Sequence, residues 1–206
     1  MDYFLRFLLT LDKLKDVKRR GMSFDGVEKQ DSPTDHTFRL VMMVWLFGHK
    51  RHLNLEKAFK MALVHDLCKI YTGDITPYDL LPDIGQRKGE DLAKRWRRLS
   101  LEQKEKRYNQ ILAMRYEGLW KLVGELPEEL SEEMMHAGIE YRKRETEEAR
   151  FVAQLDMLEN LLEALEQYKK NKEFPMQPWW EHAREVIDDP GLLEFLQQIE
   201  QEQKKE

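Results

Sequence analysis

Cysteine is almost absent from this sequence. Cys68 stands alone among 206 residues, so no disulfide framework can hold the fold together. It lies in an apolar run and reads as a reduced, buried side chain, with a catalytic thiol as the sharper alternative. Glycine (10) and proline (7) are also scarce, which argues against an all-β fold built on many tight turns. No apolar run approaches the ~20 residues that a bilayer-spanning helix needs. The opening stretch Met1 to Thr10 is interrupted by Asp2 and Arg6 and has neither a basic start nor a small-residue cleavage site. It reads as an amphipathic helix, not a signal peptide. Excess positive charge is missing too. The net charge of -5 argues against a nucleic-acid backbone as the main partner. The local cluster Lys94-Arg95-Trp96-Arg97-Arg98 has acidic neighbours and reads as a solvated helix face. The expectation is a protein of reducing, cytoplasmic surroundings, with no membrane and no nucleic acid as partner.

What the chain has in quantity is charge and helical spacing. Charged residues make up 35% and hydrophobic residues 41%, a balance that suits amphipathic helices with solvated outer faces. The length suffices for one domain with a sizeable core. Apolar residues recur at helical intervals over nearly every long segment. The spacing predicts a first helix around Phe4 to Leu11, ending before Gly21, then an irregular stretch from Gly21 to Asp31. Ser32-Pro33-Thr34-Asp35 reads as a helix start, with Ser32 as cap, Pro33 at the first position and Asp35 in the first turn. A helix from about Leu55 to Tyr71 should end at Gly73 and give way to an ordered, proline-bearing loop reaching Gly85. Further helices are expected at about Asp91 to Arg98, Leu101 to Val123, Glu128 to Arg142 and Glu145 to Tyr168. After a break at Phe174 to Pro178, two more are expected, near Trp179 to Ile187 and Pro190 to Gln201. The fold class is therefore all-α, a single-domain helical bundle. Residues 1–170 form the core and residues 171–206 a helical extension packed on it. Trp179, Trp180 and Pro190 in that extension read as core packing, with a dimer contact as the alternative.

Within this frame, one dipeptide is chemically unusual. His65-Asp66 sits inside the apolar run Ala62 to Lys69. Placing an imidazole and a carboxylate there is costly unless both have partners. Alone, His65 reads better as a core histidine bonded to backbone. Two further residues change the balance: His36, on the first turn of the helix opened by Pro33, and Asp156, in Gln154-Leu155-Asp156-Met157. Two imidazoles and two carboxylates from three segments make a plausible site for a borderline or hard divalent ion. Asp156 lies off the bulky face of its helix, alongside Ala149, Ala153 and Asn160. A solvated aspartate at the margin of an amphipathic helix is the plainer account of it. His49, His52, His136 and His182 lack such company and read as surface or structural.

Three signatures then stand in order: Arg19-Arg20-Gly21 before Pro33-Thr34-Asp35-His36; Ala62-Leu63-Val64-His65-Asp66 before Thr72-Gly73-Asp74-Ile75; and Glu148-Ala149-Arg150-Phe151-Val152-Ala153-Gln154-Leu155-Asp156. Together, over about Phe4 to Leu165, they resemble the HD-domain phosphohydrolases, specifically the branch containing the 5′-deoxynucleotidases. The resemblance implies an all-α HD-domain fold, usually a homodimer, that uses a divalent cation to hydrolyse the phosphate ester of (deoxy)nucleoside 5′-monophosphates. The cation could be Mn, Co, Ni, Zn, Fe or Mg. His36, His65, Asp66 and Asp156 match the family's metal ligands. Asp74 matches an aspartate that lies by the sugar and the attacking water. Arg19 matches a substrate-contacting arginine, suited to phosphate by its planar fork. Thr76 and Pro77 fall where the family's loop borders the nucleotide.

The chain departs from that pattern in two places. The family's glutamate three positions after the His-Asp aspartate is here Lys69, a charged lysine that cannot accept a proton. Asp74 would then serve alone, or Lys69 would act as a cation in an altered site. A third outcome is a catalytically weak protein that binds or senses nucleotides. Arg20 and Gly21 stand where an aromatic residue often follows the family arginine. An interaction scaffold is a further class, a cyclic-dinucleotide phosphodiesterase lacks its Gly-Tyr-Pro element here, and a nuclease is disfavoured by the acidic balance.

Overall fold

The computed structural model describes residues 2–24, 27, 30–81 and 94–205. Among these residues every regular element is helical, as the apolar spacing predicts. The chain divides into two compact units, each assembled from two stretches of sequence: Met1–Thr34 with Asp66–Gly138, and Asp35–His65 with Ile139–Glu206.

In the first unit, α1 (Asp2–Leu11) passes into a 3-10 turn (Asp12–Asp16) and a short α2 (Arg20–Phe24). The first helix ends at Leu11, before Gly21 as expected, while the stretch expected to be irregular begins with a helical turn. Burial accounts for that turn, since Met22 is a core residue, 1% exposed. Residues 25, 26, 28 and 29 of that stretch lie outside the described residues. The unit continues with α5 (Lys69–Thr72), a 3-10 turn (Pro77–Leu80) and the long α6 (Leu101–Val123). Gly73 ends α5 at φ +63°, a left-handed conformation that a side chain would oppose. Gly118 lets α6 lie close against α5, because a Cβ there would come within 3.0 Å of the Cys68 carbonyl oxygen. Cys68 is buried, as the reduced structural reading expects. Ser100 and Gln103 form a reciprocal capping box at the start of α6. Residues 94–97 are helical, while 82–93, and with them the expected helix start near 91 and the end of the proline-bearing loop, lie outside the described residues.

The second unit is organised around α8 (Glu147–Lys170), which is buried around most of its circumference. Helices α4 (Leu55–Val64), α9 (Gln177–Val186) and α10 (Pro190–Lys204) pack on it. Leu155, Leu158 and Leu161 are completely buried, each worth about 1.5–3 kcal/mol of transfer free energy. Asn54 caps α4 by accepting from the Lys57 N–H, and Thr146 caps α8 by accepting from Ala149. Pro178, expected to interrupt, instead lies in the first turn of α9, where its missing N–H costs nothing. Trp180 is buried and donates its indole N–H to Gln203 at 2.6 Å, the core-packing role expected of it. Two helices span the remaining stretches: α3 (Pro33–Gly48), starting at Pro33 as read from the sequence, and α7 (Glu128–Lys143).

The helix expected from Leu55 to Tyr71 is not continuous. It stops at Val64, and residues 65–68 form a turn before α5. His65 accounts for the break. Its Nδ1 donates to the Ala62 carbonyl at 2.8 Å, and its own carbonyl accepts from Arg142 at 2.7 Å. Both carbonyls are thereby diverted from the ladder that would continue the helix. The following N–H groups, of Lys69, Ile70 and Tyr71, close tighter three-residue bonds.

Candidate metal centre and its neighbourhood

His36 sits in the first turn of α3, His65 just beyond the last residue of α4, and Asp156 midway along α8. One ligand atom from each lies within 4.8 Å of the others, the arrangement of a site that could hold a metal ion. The two imidazoles are buried, and the Asp156 side chain is 23% exposed. His36 Nε2 is 3.2 Å from His65 Nε2 and 3.1 Å from Asp156 Oδ1.

The remaining bonds assign the ring protons. His36 Nδ1 donates to the Glu159 carboxylate, and His65 Nδ1 donates to the Ala62 carbonyl. With Nδ1 protonated in both rings, the two Nε2 lone pairs face each other. Two lone pairs cannot bond to one another, so an electrophile, a proton or a metal cation, belongs between them. The third side chain is equally well aimed. Tyr141 donates to Asp156 Oδ2 at 2.5 Å, and Asn160 donates to Oδ1 at 2.9 Å. Two imidazoles and a carboxylate, each held from behind, suit a borderline divalent ion.

The first unit holds the other sequence-derived candidates. Asp66 opens it, and its carboxylate lies 2.6 Å from the Lys69 ammonium. The same ammonium lies 2.7 Å from Asp74. Burial opposes the charge on Lys69, yet Asp66 and Asp74 outweigh both burial and the nearby Arg19 guanidinium and hold its pKa above the usual lysine value. Asp74 also accepts the Arg20 backbone N–H at 2.7 Å. Arg19 is buried, 5% exposed. Thr76 gives both its N–H and its hydroxyl to Asp79 at 2.8 Å, and Asp79 also receives Arg20 Nε at 2.9 Å. Arg115 donates to the Ile75 carbonyl at 3.0 Å. Pro77 therefore begins a turn fixed on both sides. His49, His52, His136 and His182 are exposed, as expected of surface histidines.

Several residues of the centre escaped the sequence reading. Glu159, Glu163 and Glu166 recur at intervals of four and three on α8 and look like a solvated stripe, but Glu159 and Glu163 are completely buried. Arg39, one turn after His36, reaches Glu159 at 2.7 Å and Glu166 at 2.6 Å. Burial opposes its charge, and the two carboxylates reverse that effect and raise its pKa. A signal was present in Glu159, which stands three residues after Asp156 on one helix face. Tyr141 offered none, because its tie to Asp156 is tertiary.

Comparison with known proteins places this geometry in context. The family model described as "HD domain" matches residues 11–188. The chain is similar to the 5′-deoxynucleotidase HDDC2 of Mus musculus, 30% identical over 199 residues that cover 96% of this chain and 87% of the mouse protein. Its fold is similar to a conserved hypothetical protein of Pyrococcus furiosus, with a TM-score of 0.68 at 20% identity, covering 96% of this chain and 99% of the other. A second similar structure, from Magnetospirillum magnetotacticum, is described as a "Predicted metal-dependent phosphohydrolase". Its TM-score is 0.54 at 23% identity, over 80% of this chain and 72% of that one.

Proposed function

Because the chain belongs to the HD-domain family and is thereby a metal-dependent phosphohydrolase, we propose that it removes the 5′-phosphate from deoxynucleoside monophosphates, with ribonucleotides as the competing substrate class. The observation that carries the metal-dependent chemistry is the pair of facing Nε2 lone pairs beside Asp156. The substrate follows from the relatives that are named 5′-deoxynucleotidases and span nearly the whole chain. The weak-sensor reading suggested by Lys69 has no support in these comparisons.

His36, His65 and Asp156 would hold the ion. Asp66 as a fourth ligand rests on the family pattern and on its peptide bond to His65. A mixed imidazole and carboxylate set suits Mn, Co, Ni, Zn or Fe, and Mg less well. Once bound, such a cation supplies Lewis acidity, making water a nucleophile near neutral pH and offsetting phosphoryl charge. The chain's own residues do the rest. Asp74, held by Lys69 and the Arg20 N–H, orients the attacking water and handles its proton. Arg19 offers a guanidinium to the phosphate. Lys69 keeps Asp66 and Asp74 in place without meeting substrate. The turn through Thr76 and Pro77 borders the nucleotide by shape, since the Thr76 hydroxyl is given to Asp79.

The working form is proposed to be a homodimer in the cytoplasm. Phe38, Met42, Trp45 and Leu46 support the dimer: they form an apolar stripe on α3 and are 72%, 37%, 59% and 69% exposed. A monomeric mass in light scattering would refute that part. Among the described residues no helix is long and apolar enough to cross a membrane. The decisive test of function is phosphate release from deoxy- and ribonucleoside 5′-monophosphates with each divalent ion in turn. Release from deoxynucleotides that chelation abolishes and one ion restores is expected. No release from any nucleotide with any ion would overturn the proposal.

A further inference from the structure

The proposed reaction makes no use of Glu159, yet the chain buries its carboxylate completely. An ionised carboxylate is among the costliest groups to remove from water unless it is paired and hydrogen-bonded. Leu155, Leu158 and Leu161 surround it in sequence on the same helix, and a fourth leucine would pack there at far lower cost. What Glu159 has in return is a full set of partners. One oxygen receives Arg39, through Nε at 2.8 Å and Nη2 at 2.7 Å. The other receives Nδ1 of His36. Arg39 is anchored in turn by Glu166 at 2.6 Å. These bonds form a chain running from the half-exposed Glu166 to the ring that faces Asp156 and His65.

We infer that Glu159 is a positioning residue of the metal centre, acting through His36. By accepting the Nδ1 proton it fixes the ring's tautomer, sets its tilt so that Nε2 points at the cation position, and makes Nε2 a stronger donor. Arg39 grips the second oxygen, stopping the carboxylate from rotating away and offsetting its charge. Asp156 has a comparable arrangement in Tyr141 and Asn160, and His65 in the Ala62 carbonyl. His36 is thus oriented by a charged carboxylate, which makes its Nε2 a stronger donor than a neutral partner would. The inference rests on the metal centre proposed above.

The test is calorimetric titration of Mn2+ into the full-length protein after chelation, with no substrate present, and with melting temperature recorded for each variant. Glu159→Ala should weaken the Mn2+ Kd by about 10–100-fold. Glu159→Gln should weaken it less, because its amide oxygen still accepts from Nδ1 without a charge. Leu158→Ala, one position away, should lower the melting temperature and leave the Kd unchanged. If Glu159→Ala lowers the melting temperature with the Mn2+ Kd unaltered, Glu159 is merely structural and the inference fails. If the alanine variant does not fold, Glu159→Asp decides. Its carboxylate is one methylene short of His36, so a Kd weakened about tenfold supports the role, and an unchanged Kd overturns it. A wild-type protein that binds no Mn2+ at all would instead remove the metal centre itself.

Discussion

Two clusters of ionisable side chains occupy the two units, and they solve opposite problems. In the second unit, His36 and His65 turn lone pairs toward each other beside Asp156, an assembly short of positive charge. In the first, Asp66 and Asp74 both bond to Lys69, an assembly that carries its own cation on a side chain. Both bring polar groups together in largely buried surroundings at a cost, and on the function proposed above both would use a cation to recover it. The first unit thus supplies a cation to its carboxylates from its own chain, whereas the second, on the function proposed above, would take its cation from solution.

Removing a ligand should break the comparison most severely. His65→Ala removes one of the two imidazoles and should weaken metal retention and phosphate release together by more than about 100-fold. Metal analysis of the purified variant beside a phosphate assay checks both. Retained metal with normal turnover would show that the facing imidazoles have another purpose. Removing the resident cation of the first unit should be felt in stability. Lys69→Met takes the ammonium away from two carboxylates and should cost about 3–5 kcal/mol in urea unfolding. The raised Lys69 pKa fixes the pH window. A folded-state pKa above the unfolded value means that the contribution is fully present below about pH 10.4 and is lost as pH rises through the folded value. The wild-type advantage over Lys69→Met should therefore persist through neutral pH and vanish only in alkali. A constant gap up to strong alkali would contradict this.

The smallest effect sets the scale of an ordinary ion pair. Asp189 accepts from Arg51 at the protein surface and caps α10 through the Leu192 N–H at 3.0 Å. The Arg51 hydrogen bond, with help from the cap, holds its pKa below the usual carboxylate value. Its contribution is thus present above the ordinary carboxylate pKa and lost as pH falls through the lowered folded value. Asp189→Ala should cost about 1–2 kcal/mol at neutral pH, shrinking toward zero in acid. Equal losses at neutral and strongly acidic pH would show that the charge plays no part.

Helix positions were legible in the sequence because they depend on local spacing and caps. The boundaries of α6, the start of α3 at Pro33 and the stop at Gly73 all follow from residues within one turn. The break after Val64 was not legible, since it depends on Arg142, far along the chain, reaching the His65 carbonyl. The residues of the centre divide in the same way. His65 could be named because an imidazole in an apolar run is conspicuous, and His36 and Asp156 because the order of the three signatures matched a family. Glu159 was hidden in a periodic acidic pattern that usually means solvent. Its burial comes from Arg39 and His36 on another helix. Lys69 was visible as a departure, but its bonds to Asp66 and Asp74 became clear only once the turn after α4 brought them together.

The most direct measurement is a crystal structure of the protein grown with Mn2+, with anomalous scattering recorded at the manganese edge. The account predicts a single strong anomalous peak bonded to Nε2 of His36, Nε2 of His65 and a carboxylate oxygen of Asp156. A map with no peak there, or with manganese bound only elsewhere, would contradict it.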